Sequence, residues 1–68
     1  MCLIAFHWQP GAEVPLVLAA NRDEFHERPT RALNWWQWPD GILAGRDEAG
    51  GGTWMGVRRD GRFAAVTN

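Results

Sequence analysis

The sequence predicts an α+β chain in which antiparallel strands and hairpins dominate and helix is confined to one short segment. Three observations carry that expectation. Two nearly continuous apolar runs, Cys2 to Trp8 and Val14 to Ala20, flank Gln9-Pro10-Gly11-Ala12-Glu13, where Pro fixes one dihedral and Gly frees the next. A second pair of runs, Thr53 to Arg58 and Arg62 to Thr67, brackets Asp60-Gly61, a dipeptide favoured in tight hairpin turns. Pro29 then restricts any helix before it to a turn or two, because the residue preceding a proline is pushed out of helical geometry.

Taken in order, Cys2 to Trp8 reads as the first strand, since Ile, Phe and Trp suit a pleated surface. Val14 to Ala20 is the second, with Pro15 tolerable only near its start. Their unbroken apolar character suggests a sheet covered on both faces. At Asn21 the chain turns strongly polar, and Asn21 to Thr30 crowds acids and bases around Phe25, with Glu24 and Arg28 spaced for an i,i+4 pair. Thr30 to Trp38 is expected to form the one short helix, capped by Thr30 and ended by Pro39-Asp40-Gly41. A third strand runs from Ile42 to Arg46, followed by a loop from Asp47 to Gly52 that holds three consecutive glycines. That loop is not a phosphate loop, because no Gly-Lys-Ser/Thr follows it. Counting the last hairpin, about five strands are expected.

Sixty-eight residues make one small domain at most, and chains of this size commonly need a disulfide, a metal or a partner to fold. One cysteine excludes an internal disulfide, and neither a CxxC nor a paired His–Cys spacing for zinc is present. The apolar run Phe63 to Asn68 closes the sequence without a polar tail. Residues 1–68 are therefore expected to be the N-terminal portion of a single, incomplete domain that needs its remainder or a partner chain. Seven arginines, no lysine and eight acids leave a net charge of −1, which gives no electrostatic footprint for nucleic acid. The apolar runs fall far short of the roughly 20 residues that span a bilayer, and no basic segment precedes the first as in a signal peptide. A soluble, cytoplasmic protein is the expectation. The five tryptophans belong in a core, an interface or a ligand cleft.

The chemistry centres on Cys2, which becomes the N-terminus if Met1 is removed, as its small side chain permits. A terminal cysteine carries its own base: a free α-amine ordinarily has a pKa of about 7.7–8.0 and a cysteine thiol about 8.5. Nucleophile and proton acceptor then share one residue. Against this stands the ordinary use of a lone cysteine as a small buried hydrophobe. Hairpin topology favours the chemical reading, because the start of strand one lies beside the end of strand two. Cys2 and the Asn21-Arg22-Asp23-Glu24 cluster are thereby expected to be neighbours.

Met1-Cys2, Leu18-Ala19-Ala20-Asn21-Arg22-Asp23-Glu24-Phe25 with Arg28-Pro29, Gly51-Gly52-Thr53-Trp54-Met55-Gly56-Val57 and Ala65-Val66-Thr67-Asn68 together resemble the NRDE family, also called the transport and Golgi organisation family. The blocks span the whole chain in order. That family is in turn similar to N-terminal-nucleophile hydrolases of the bile salt hydrolase and penicillin V acylase group. The resemblance implies an αββα four-layer sandwich, of which these residues would supply the β-rich beginning, and a Cys2 nucleophile that cleaves a linear amide of a small molecule. In that group a Gly-Arg-Asn-x-Asp-like segment steadies the nucleophile. Aligned without gaps, Asn21 takes the place of its Arg and Glu24 of its Asp; one residue later, Arg22 takes the Arg position. The implied roles are Asp23 or Glu24 orienting the α-amine, Arg22 favouring the thiolate or binding an acidic substrate group, and Asn68 donating to the oxyanion.

The same residues allow plainer uses. Arg22 and Asp23 could form a strand-end salt bridge, and Asn68 a sheet-end hydrogen bond. His7 and His26 lack ligand spacing. Trp35, Trp36 and Trp38 suit a lid or core plug as well as a cleft wall, and Trp54 is most simply core. A different class of function also follows from the resemblance: a non-catalytic trafficking or carrier protein of the secretory pathway, holding a hydrophobic ligand such as haem. Cys2 or His7 could ligate haem, although no CxxCH motif is present. No resident cofactor or metal is expected.

Overall fold

In a computed structural model of the chain, residues 2–67 are described. Six strands follow one another: β1 (Leu3–Trp8), β2 (Leu16–Asn21), β3 (Thr30–Trp35), β4 (Ile42–Asp47), β5 (Met55–Arg58) and β6 (Phe63–Ala65). β1 and β2 form a two-stranded antiparallel sheet, and β3-β4-β5-β6 form a four-stranded antiparallel meander. Among the described residues there is no helix.

The first hairpin forms where the apolar runs and the Pro-Gly turn place it. Its register is regular from Leu3 opposite Asn21 to Trp8 opposite Leu16. Gly11 takes a φ of 87°, the left-handed region that only glycine enters freely. β2 starts at Leu16 because Pro15 has no N–H; its carbonyl instead accepts the Gln9 N–H at 2.7 Å and closes the loop. The last hairpin also turns where expected, with Gly61 at φ 91° and Val57 paired to Phe63.

The helix expected from Thr30 to Trp38 is absent, and β3 occupies most of that segment. Thr30 does not cap a helix. Its hydroxyl donates to the Arg28 carbonyl at 3.1 Å and accepts from Arg22 at 2.9 Å. β3 pairs with β4 through Arg31–Arg46 and Asn34–Ala44, so Ala32 and Leu33 together face Gly45 alone. This bulge breaks the polar–apolar alternation that would mark a strand, which is why Ala-Leu-Asn-Trp-Trp read as helical. The hairpin between β3 and β4 closes through the Trp36 N–H donating to the Ile42 carbonyl at 2.8 Å.

The middle of the four-stranded sheet is made of small residues. Ala44 is 1% exposed and is the only hydrophobic side chain buried among the described residues. It lies opposite Gly56 in β5; a Cβ on Gly56 would stand 3.2 Å from that of Ala44. Elsewhere large apolar groups are open to solvent, with Leu33 in β3 69% exposed and Leu3 and Phe6 in β1 63% and 70% exposed. The shortest extent of the molecule is 15 Å, the thickness of one sheet with its side chains, since stacked sheets lie about 10 Å apart. The cover expected on both faces of the first two strands is not supplied by these residues. Among the described residues no helix is long and apolar enough to cross a membrane.

Candidate active site

The hairpin ladder determines what Cys2 meets. Because Leu3 pairs with Asn21, Cys2 and the residues after Asn21 emerge together from the same end of the two strands. The backbone N–H of Asp23 donates to the Cys2 sulfur at 3.4 Å. Cys2 is a free thiol and half-buried. The neighbourhood inferred from topology is therefore real, and the group that reaches the sulfur is a main-chain amide rather than the Arg22 guanidinium.

Around this contact lies a cleft of about 180 Å³, smaller than the roughly 300–1,000 Å³ of pockets that enclose drug-sized ligands. Cys2, Arg22, Asp23 and Glu24 form one wall; Asp47, Thr53 and Trp54 form another, and Val66 and Thr67 complete it. Asn21 ends β2 and does not line the cleft. Asn68 and Met1 lie outside the described residues. His7 sits exposed near the far end of β1, five residues and roughly 16 Å of extended strand from Cys2. His26 is exposed in the loop before β3. Among the described residues no three of His, Cys, Asp and Glu converge to hold a metal ion.

The charges of the cleft are distributed unequally. Asp23's carboxyl is held below the usual carboxylate range, first by hydrogen bonding to the chain's terminal amine and then by that ammonium's charge, against an opposing effect of burial. Glu24 lies 3.7 Å from Arg28, the i,i+4 pair read from the sequence, formed in a turn instead of a helix. Its other oxygen accepts the Phe25 N–H at 3.0 Å. Arg28 makes a two-pronged contact with Asp47, Nε to Oδ1 at 3.1 Å and Nη2 to Oδ2 at 2.8 Å, the strong planar geometry of guanidinium and carboxylate. Asp47 Oδ1 also accepts from the N–H groups of Ala49 and Gly50 at 3.0 and 3.2 Å. The carboxylate thus ties the polar loop after β2 to the glycine loop after β4.

Those contacts hold the Asp47 carboxyl far below its ordinary value of 3.8, chiefly through the Arg28 hydrogen bonds. A carboxyl lowered in the folded state contributes stability that is complete above its unfolded pKa and is lost as pH falls through the folded one. The clamp should consequently survive acidification to about pH 4. Carbon-detected NMR of the side-chain carboxyl should show Asp47 titrating well below that pH, and Arg28→Gln should move the midpoint upward. An Asp47 midpoint at or above pH 4 in the unsubstituted protein would contradict the clamp.

Arg22 is placed differently from Arg28. Its guanidinium lies over the Trp54 ring at 4.2 Å, and Nη1 donates to the Thr30 hydroxyl at 2.9 Å. Trp54 is half-buried and leans over Gly45, whose missing side chain makes room for it. Thr53, in the loop before β5, donates to the Met55 carbonyl at 3.1 Å. Sequence reasoning did not assign Thr30, Asp47 or Thr53 to the site. The signal for Asp47 is an acid directly before a glycine-rich loop, whose free N–H groups need an acceptor.

Comparison with known proteins gives these residues a family. The sequence model of the Transport and Golgi organisation 2 family matches residues 1–68. The chain belongs to that family. A Transport and Golgi organization protein 2 homolog from Bos taurus is 45% identical over 100% of this chain, and that from Homo sapiens is 44% identical over the same share. The Drosophila melanogaster Transport and Golgi organization protein 2 is 40% identical over 97% of it. The chain spans 27% of the length of the mammalian relatives and 25% of the Drosophila protein. No solved structure matches. Within this Transport and Golgi organisation 2 segment, several of the residues quoted above for the family line the cleft: Cys2, Arg22, Asp23, Glu24, Thr53, Trp54, Val66 and Thr67.

Proposed function

We propose that this Transport and Golgi organisation 2 chain is the nucleophile-bearing part of a cysteine N-terminal-nucleophile hydrolase, acting on a linear amide of a small molecule. Its strands would then begin an αββα sandwich completed by the rest of the protein. The observation that supports this most is the Asp23 N–H directed at the Cys2 sulfur. A sulfur at the end of a strand, receiving a main-chain hydrogen bond and opening onto a polar cleft, supports a chemical reading over a packing one.

In the reaction, loss of Met1 exposes the α-amine of Cys2, which takes the thiol proton directly or through a water. Asp23, whose own backbone N–H reaches the Cys2 sulfur, orients that amine. The sulfur attacks the amide carbonyl and the C=O electrons move to oxygen. Collapse of the tetrahedral adduct breaks the C–N bond, and the leaving amine takes the proton from the Cys2 ammonium. Water then adds to the thioester, giving a carboxylic acid and the free thiol. Asn68 is assigned as an oxyanion donor, a role worth on the order of 3–4 kcal/mol of barrier.

Intact-mass analysis of the active protein tests the premise. The species that hydrolyses a panel of N-acylated amino acids should lack Met1 and carry a free N-terminal cysteine. Full activity in a species that retains Met1 would overturn the mechanism. Stoichiometric ligand binding without hydrolysis of any member of the panel would favour the carrier alternative.

A further inference from the structure

The seven arginines fall into two groups. Arg28 pairs with Asp47 and Glu24, Arg31 with Glu48, and Arg58 and Arg62 with Asp60. The remaining three lie on indole faces: Arg22 on Trp54 at 4.2 Å, Arg46 on Trp36 at 4.2 Å and Arg59 on Trp35 at 4.0 Å. Among the described residues these three have no carboxylate partner. Arg22 alone of them shares a cleft with the thiol.

We infer that Arg22, laid on Trp54 and tethered to Thr30, is a receptor for a carboxylate on the molecule that approaches Cys2. The inference deepens the hydrolase reading and rests on it for the word substrate. It narrows the substrate class to small amides with a free carboxylate, such as N-acylated amino acids. A guanidinium has five N–H donors in a planar fork, and the Thr30 hydrogen bond occupies one. Stacking holds the plane against the ring while leaving the N–H edge available for a two-pronged anion contact. Two fixed contacts also remove the rotamer freedom that a flexible cation would lose on binding.

The acids of the cleft do not compete for this edge. Three of them line it, Asp23, Glu24 and Asp47. Glu24 and Asp47 both face Arg28. Two of the three cleft carboxylates are thus drawn to Arg28 and away from Arg22. What is left is one oriented cation in the same cleft as the nucleophile.

Alkylation of Cys2 tests the receptor without requiring turnover. In the full-length protein, rates with iodoacetate and iodoacetamide are measured at the Cys2-containing peptide by mass spectrometry. The reagents deliver similar electrophiles and differ in carrying a carboxylate or a neutral amide, so their rate ratio cancels changes in thiol reactivity. The ratio should fall at least fivefold in Arg22→Gln and be partly kept in Arg22→Lys. In the unsubstituted protein an N-acylated amino acid should slow iodoacetamide alkylation, while its carboxamide should not; this arm holds even if a variant fails to fold. A ratio within twofold of the parent in a folded Arg22→Gln, or equal protection by acid and carboxamide, overturns the receptor. Turnover with an unchanged ratio would leave the hydrolase and remove the receptor. A changed ratio with no amide hydrolysed would do the reverse.

Discussion

Replacing Cys2 with alanine is expected to lower amide turnover by about three orders of magnitude or more, the scale seen when a covalent nucleophile is deleted. The fold should be little affected. Cys2 lies just before β1, and its sulfur accepts one long hydrogen bond at 3.4 Å from Asp23. Alanine there removes the attacking atom and leaves the ladder from Leu3 to Trp8 untouched. Cys2→Ser makes a sharper comparison, because it keeps the terminal amine as base and supplies an oxygen in place of sulfur. A hydroxyl is far less ionised than a thiol near neutral pH, so Cys2→Ser should retain only a small fraction of the turnover. Both variants should keep binding a carboxylate ligand through Arg22, separating binding from chemistry. Parental turnover in Cys2→Ala, measured on protein of confirmed N-terminal sequence, would exclude Cys2 as the nucleophile.

The placement of that thiol was legible because it depends only on strand pairing. Two apolar runs joined by Pro10-Gly11 require Cys2 to lie beside the residues after Asn21, whatever the side chains then do. Asp60-Gly61 was legible for the same reason: a turn is local chemistry. The segment from Thr30 to Trp38 was not. Its strand identity comes from β4, and the two-against-one bulge opposite Gly45 hides the alternation that would have revealed it. The Asp47–Arg28 clamp joins residues 19 apart, and nothing in either local sequence marks the other as partner. The direction of Arg22 was also beyond reach from sequence, since it depends on Thr30 and Trp54, which meet it from the start of β3 and from the loop before β5. The apolar surface of β1 and β2 led to an expectation of cover on both faces. Composition can report that a surface wants burial, but it cannot say which part of a protein buries it.

Gly45→Ala is expected to cost about 1–3 kcal/mol of stability, the usual penalty for forcing extra volume into a packed site. An ideal Cβ at position 45 would stand 2.6 Å from Trp54 Cη2 and 2.8 Å from Cζ2, and 3.3 Å from the Arg31 carbonyl oxygen. The first two atoms belong to a rigid ring, so relief requires the whole indole to move. That ring is also the platform for Arg22 at 4.2 Å. A displaced Trp54 should therefore weaken the carboxylate preference at Cys2 as well as the fold, although Gly45 does not itself line the cleft. Trp54→Phe gives the control, since phenylalanine lacks the outer indole ring but offers Arg22 an aromatic face. In Gly45→Ala/Trp54→Phe the loss of stability should be clearly less than the sum of the two single losses, because the clash exists only when both groups are present. The Arg31 carbonyl contact persists in the double variant, so recovery should be incomplete. Denaturant titration of the four proteins measures the coupling, and the iodoacetate-to-iodoacetamide ratio measures its consequence. Strict additivity, or a Gly45→Ala protein as stable as its parent, would mean that glycine serves the bulge of β3 and not the seating of Trp54.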